Sequence, residues 1–310
     1  MTFCEFTKSV EEGIRELCGD GEEIMIQEIQ GSNKTVQFRV SIRKNGENKA
    51  AVVYLKDYYE RCQKGDRTIQ EAAEEIYRKS HTHRVSMLQK TVAENFEEVK
   101  ERIVYRLVDY GRNQELLKQI PYIPYCDLAV IFYLIIETNE NGRMTALIHN
   151  QRMSIWKTDA DTLYRLAADN TPRLLPPVLQ SLADVMKGIA REQTEDEDKE
   201  EFVDNFLRNA VRCPSLYVLT NRDGIYGAAA VLYDGALKRF AKEKESDLVI
   251  LPSSQHEVLL MPCTEGTVPA ELQEIVREVN RTELSEEEVL SDSVYLYSRE
   301  TNQVSLFCEG

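Results

Sequence analysis

Leu216-Tyr217-Val218-Leu219-Thr220 is a short apolar run of residue types that suit a strand. Asn221-Arg222-Asp223-Gly224 follows, and these residues tolerate tight turns, including positive φ. From Ala228 to Ala241 the apolar residues fall mostly three to four apart, with Lys238, Lys242 and Glu245 pointing elsewhere, which predicts a helix. Gly235 inside it costs about 1 kcal/mol against alanine, so that helix has to lean on packing. Asp247-Leu248-Val249-Ile250-Leu251 reads as a second strand. Strand, helix, strand predicts a βαβ crossover over 216–251 with its two strands parallel. Loops after parallel strands leave a sheet at the same edge. Residues 221–227 and 252–257 are therefore expected side by side, at the kind of edge where open α/β sheets bind ligands.

The chain before this unit alternates helices and strands. Phe6, Val10, Ile14 and Leu17 mark an amphipathic helix. Residues 24–29, 36–42 and 50–55 read as a three-strand meander, and 57–64 and 69–81 as helices, the latter opened by a Thr68/Glu71 capping box. A strand over 103–110 and a short helix over 114–120 precede an apolar run, 128–137, that has the pattern of a central strand. Asn139-Glu140-Asn141-Gly142 is a hairpin signal. Thr158 with Asp161 is expected to cap a helix to about 170, with a further helix over 178–189. The acidic stretch 192–201 reads as a solvated segment and 202–211 as a helix. Ser285 with Glu288 forms another capping pair, and a hairpin around Glu300-Thr301-Asn302 closes the chain. The whole predicts an α+β protein of mixed sheets with flanking helices. Its expected division is an N-terminal α+β lobe over 1–100 and a C-terminal α+β lobe with the central sheet over 101–310, with a single domain as the alternative.

Composition narrows the partners. A net charge of −15 argues against duplex nucleic acid and against anionic membrane surfaces, both of which select basic proteins. Seven cysteines, an odd number without a CxxC spacing, read as reduced thiols. The start Met-Thr-Phe-Cys-Glu lacks the basic and apolar pattern of a secretory leader, so a cytoplasmic location is expected. The apolar run 128–136 is too short to span a bilayer.

Chemistry concentrates on the shared edge. Ser254 and His256 lie two apart, on one face of an extended segment, where a histidine can take a serine proton. Asp223 can orient the imidazole if the loops meet, although no Gly-x-Ser-x-Gly elbow is present. The plainer reading has Ser253 and Ser254 bonding backbone at a strand-to-strand bend, with His256 structural. Gly224 and Gly227 can expose amides to an anion, but the lysine and Ser/Thr of a P-loop are missing. His256-Glu257 begins like a zinc-protease motif, yet Leu260 stands where the second histidine belongs. His81 and His83 sit at a spacing that diverges on a helix. Trp156 and the fifteen tyrosines read as packing. No metal and no cofactor is expected.

Several phrases carry a resemblance: Leu128-Ala129-Val130 after Asp127; Tyr217-Val218-Leu219-Thr220-Asn221; Gly227-Ala228-Ala229; Leu251-Pro252-Ser253-Ser254 with His256-Glu257-Val258; Glu278-Val279-Asn280; and Glu288-Val289-Leu290-Ser291-Asp292. Through them the chain resembles an uncharacterised bacterial family, domain of unknown function 5688, and more distantly the YtpQ-like proteins. That resemblance implies no particular activity. The residues lead to a cytosolic, non-enzymatic binding or regulatory protein that takes a small polar ligand or peptide. Its ligand residues are expected to be Asn221, Asp223, Gly224, Gly227, Ser253, Ser254, His256 and Glu257. The alternatives are a hydrolase with Ser254 as nucleophile and His256 as base, and a structural or scaffold protein.

Overall fold

Thr2 opens the first helix, α1 (Phe3–Leu17): its hydroxyl accepts the Glu5 amide while the Glu5 carboxylate accepts the Thr2 amide. The four-residue spacing of Phe6, Val10 and Ile14 makes one apolar stripe, and all three are fully buried. They pack over an antiparallel meander, β1 (Glu22–Gln30), β2 (Val36–Lys44) and β3 (Ala51–Tyr54), together with α2 (Lys56–Gln63) and α3 (Ile69–Gln89). The computed structural model describes residues 1–19, 21–30, 33, 36–44, 51–89, 95–139, 142–186 and 216–307. The chain forms two compact units, Met1–Glu94 and Asn95–Gly310.

Thr68 and Glu71 cap α3 reciprocally: each backbone amide donates to the other residue's side-chain oxygen, at 2.8 and 3.2 Å. Thr68→Ala should cost about 1 kcal/mol, read as a lower melting temperature. An unchanged melt would show that the cap adds nothing to this helix.

The second unit is built on two sheets. In the first, β6 (Leu128–Asn139) is the central strand. β4 (Ile103–Asp109) pairs along one edge, while β5 (Tyr122–Tyr125) and β7 (Gly142–Leu147) share the other. Both faces of β6 are covered, which explains its unbroken apolar run. Short helices α4 (Phe96–Val99), α5 (Gln114–Leu117) and α6 (Asn150–Trp156) flank it, and α7 (Ala160–Leu174) lies against β4. Thr171 Oγ1 accepts the Tyr105 amide at 3.1 Å, and Asn170 Nδ2 donates to the carbonyls of Lys100 and Ile103. The cap of α7 is Asp159, which accepts the Thr162 amide, in place of the expected Thr158/Asp161 pair.

The second sheet has the order β13-β12-β10-β11-β9-β8. Its strands are β8 (Pro177–Ser181), β9 (Tyr217–Asn221), β10 (Leu248–Pro252), β11 (Val258–Pro262), β12 (Tyr295–Ser298) and β13 (Gln303–Leu306). The α+β class stands, but the expected mixed sheets do not: all pairings among the described strands are antiparallel. The crossover over 216–251 is split. β9 and β10 run the same way, yet β11 lies between them and pairs with both. The short loop 253–257 forces the chain back beside the strand it has just left, and β11 takes the place next to β10.

The expected single helix is also two pieces, a 3-10 segment Gly227–Leu232 and α8 (Ala236–Lys244), broken at Gly235 with φ 68°. Of the helix expected over 178–189, residues 178–181 instead pair with β9 as part of the edge strand β8, and the chain is helical from 182 to the last described residue there, 186. After β11, α9 (Pro269–Thr282) starts at its proline. The readings over 192–201 and 202–211 lie outside the described residues.

Candidate functional site

Asn221 ends β9 and builds the turn after it. Its Oδ1 accepts the Asp223 amide, its Nδ2 donates to Ile225 O, and its carbonyl accepts the Gly224 amide. The chain then passes Tyr226, at φ 54°, and Gly227. A Cβ on Gly227 would lie 2.6 Å from both Asn221 N and His256 O, so only glycine fits there. The two expected loops thus touch. Thr220 Oγ1 donates to His256 O at 2.7 Å, and the Tyr226 amide donates to His256 Nδ1 at 3.2 Å.

The same bonds occupy the groups proposed for chemistry. Ser254 is buried, and its Oγ accepts the His256 backbone amide at 3.0 Å. Among the described residues no hydrogen bond joins Ser254 Oγ to the imidazole, whose Nδ1 is taken by Tyr226. Asp223 forms an ion pair with Arg143 Nε at 2.7 Å instead of orienting His256. Ser253 Oγ donates to Glu257 at 3.3 Å. Gln255 is buried and ties the loop to the carbonyls of Glu287 and Glu288. The two loops are therefore joined as a hydrogen-bonded seam by Thr220, Tyr226 and Ala228, which donate to His256 and Gln255, with Gly227 packed against the His256 carbonyl. Asn221, Gly224, Ser253, Ser254 and Glu257 bond within their own loops, and Asp223 pairs with Arg143.

That seam also ties the two sheets together. Tyr226 stacks on His256 with centroids 5.5 Å apart. The Arg106 guanidinium, from β4, lies 4.2 Å from the Tyr226 ring and 4.2 Å from the Tyr133 ring, a sandwich that desolvates the cation between two π faces. A second knot lies at the start of β6. Asp127 accepts the hydroxyls of Tyr295 and Ser291 at 2.6 and 2.8 Å, and Asn280 Nδ2 donates to Ser291 O and Asp292.

Among the described residues an open cavity of about 330 Å³ lies elsewhere, between β5, α7, α8 and the β12–β13 hairpin. Tyr125, Tyr164, Tyr233 and Tyr297 line it, with Asp234 and Lys238. Tyr233 Oη donates to Leu175 O and Tyr297 Oη to Asn302 Oδ1. Tyr125 and Tyr164 have no hydroxyl partner among the described residues. Behind them the buried Tyr105 hydroxyl also has none. Burial raises the Tyr125 phenol well above its usual pKa. Burial and then the Asp223 charge do the same for Tyr233, so both stay neutral donors near pH 7. None of the expected ligand residues lines this cavity or a smaller one of about 260 Å³ beside Pro269 and Phe307.

Sequence reading missed the cavity because its tyrosines come from four separate elements. The one local signal is Tyr233-Asp234-Gly235, a turn inside what reads as a helix. Among the described residues no group of three or more His, Cys, Asp or Glu is placed to hold a metal ion. The side chains of His81 and His83 lie outside the described residues. Among the described residues no helix is long and apolar enough to cross a membrane.

These features define an α+β protein of antiparallel sheets whose second unit is closed by a polar seam and holds a tyrosine-lined cavity. The chain belongs to a family of unknown function (DUF5688), whose profile matches residues 3–299. No curated protein and no solved structure matches it.

Proposed function

We propose that the protein is a cytosolic, non-enzymatic binding protein that holds a small polar ligand in the tyrosine-lined cavity. One contrast carries the reading. The polar side chains of Asn221, Asp223, Ser253 and Ser254 at the edge are already taken by backbone amides, Glu257 or Arg143, whereas the Tyr125 and Tyr164 hydroxyls of the cavity lining have no partner among the described residues. A cavity of about 330 Å³ suits a small molecule better than a peptide. The hydrolase alternative would need the Ser254 hydroxyl turned from the His256 amide to the imidazole. The scaffold alternative leaves the cavity wall without a purpose.

A thermal-shift screen of polar metabolites tests the proposal. A ligand at 100 times its Kd should add about 2.7 kcal/mol of stability. That gain should vanish in Gln303→Trp, which places a ring at the exposed cavity rim. No stabilising compound, or hits indifferent to the tryptophan, would sink the cavity reading. Labelling of Ser254 by an activity-based serine probe would overturn the non-enzymatic one.

A further inference from the structure

We infer that the cavity takes a small zwitterion of the amino-acid class, its ammonium against Asp234 and its carboxylate against Lys238; this rests on the cavity being the ligand site. Asp234 and Lys238 are both exposed and line the same cavity. On one helix, opposite charges four apart would reach each other. Here Gly235, at φ 68°, turns the chain between them, so Asp234 precedes α8 while Lys238 sits in its first turn. Neither has an ion-pair partner among the described residues, in contrast to Asp223, which is held by Arg143.

A simple anion entering the cavity would meet Lys238 but be repelled by Asp234, and a simple cation would meet the reverse. A ligand with both charges satisfies both side chains. In the same lining Val231, Leu237 and Val304 offer apolar surface for a side chain. The unpartnered Tyr125 and Tyr164 hydroxyls can bond a polar tip, and Asn302, whose Oδ1 is used by Tyr297, keeps its Nδ2 as a donor. The volume lies at the low end for small-molecule sites, which fits an amino acid and is tight for a nucleotide.

Isothermal titration of the full chain with free amino acids, and with the same amino acids N-acetylated or as amides, tests this. At least one free amino acid should bind, and either cap should weaken it tenfold or more. Asp234→Asn should stop distinguishing the free from the acetylated form, and Lys238→Met the free from the amide. Both positions are exposed, so both variants should melt like wild type. Capped and free forms binding alike would overturn the inference. Absence of amino-acid binding, while some other compound still binds and loses affinity in Gln303→Trp, would also overturn it and leave the cavity reading intact. If no compound binds at all, both readings fall.

Discussion

Gly227→Ala should lower the stability of the second unit by about 3 kcal/mol or more. The added methyl would sit 2.6 Å from the Asn221 amide nitrogen and 2.6 Å from the His256 carbonyl, and would collide with Thr220 Oγ1. No flexible side-chain end is available to yield, because two of the three atoms are backbone and the third is fixed by its bond to His256 O. Relief means prising β9 from the loop 253–257. That separation gives up the bonds from Thr220, Tyr226 and Ala228 to this loop together. Urea denaturation reads the effect as a lower midpoint. Gly235→Ala is the matched control. Its φ of 68° makes alanine strained, but nothing lies within 4 Å of the new methyl, so only about 1–2 kcal/mol is expected. Equal losses in the two variants would mean that the seam does not hold the unit together.

The edge was legible because Leu216 to Thr220 and Leu248 to Leu251 have the residue types of strands and a helix pattern stands between them. Strand direction followed from that, and with it the meeting of the two loops. Strand order did not follow. The run Val258-Leu259-Leu260-Met261-Pro262 comes after a short loop, and such a strand turns back beside its predecessor, taking the position that a plain crossover would fill. Residues 178–181 differ for another reason. Their apolar residues suit a helix equally well, and only pairing with β9, distant in sequence, decides for a strand.

The apolar run in β6 is legible in the sequence because burial on both faces leaves a local trace that one-sided burial does not. Ser254 and His256 misled in the opposite sense. Their spacing puts both on one face of an extended segment, but the segment is a bend, where a serine hydroxyl accepts the amide two residues on. The phrases that carry the family resemblance fall largely into two knots, the seam at 221–227 and 252–257 and the cluster around Asp127, and Gln255 bridges the first to Glu287 and Glu288. They mark places where the fold closes, and the cavity lies outside them.

The Asp127 cluster gives the second large effect: Asp127→Ala should cost about 3 kcal/mol. The carboxylate is the acceptor for two hydroxyls, Tyr295 at 2.6 Å and Ser291 at 2.8 Å, and these residues are 4% and 0% exposed. Alanine leaves both hydroxyls buried without an acceptor, and each such loss is worth about 1–3 kcal/mol. Asp127→Asn keeps the shape and one carbonyl oxygen, so it should lose about half as much. The same contact has a pH signature. Burial, then the Asp127 charge, raises the Tyr295 phenol above its usual value of 10.0. A phenol whose folded pKa is raised contributes stability that is fully present below the unfolded pKa and is lost as pH rises above it. The wild type should therefore weaken above about pH 10 more steeply than Tyr295→Phe, measured as urea midpoints from pH 8 to 11. In the double variant Asp127→Ala with Tyr295→Phe the orphaned phenol is gone, so part of the Asp127→Ala loss should return. If Asp127→Ala keeps the wild-type midpoint, this knot does not help to close the fold, and the Asp127 and Ser291 phrases need a different explanation.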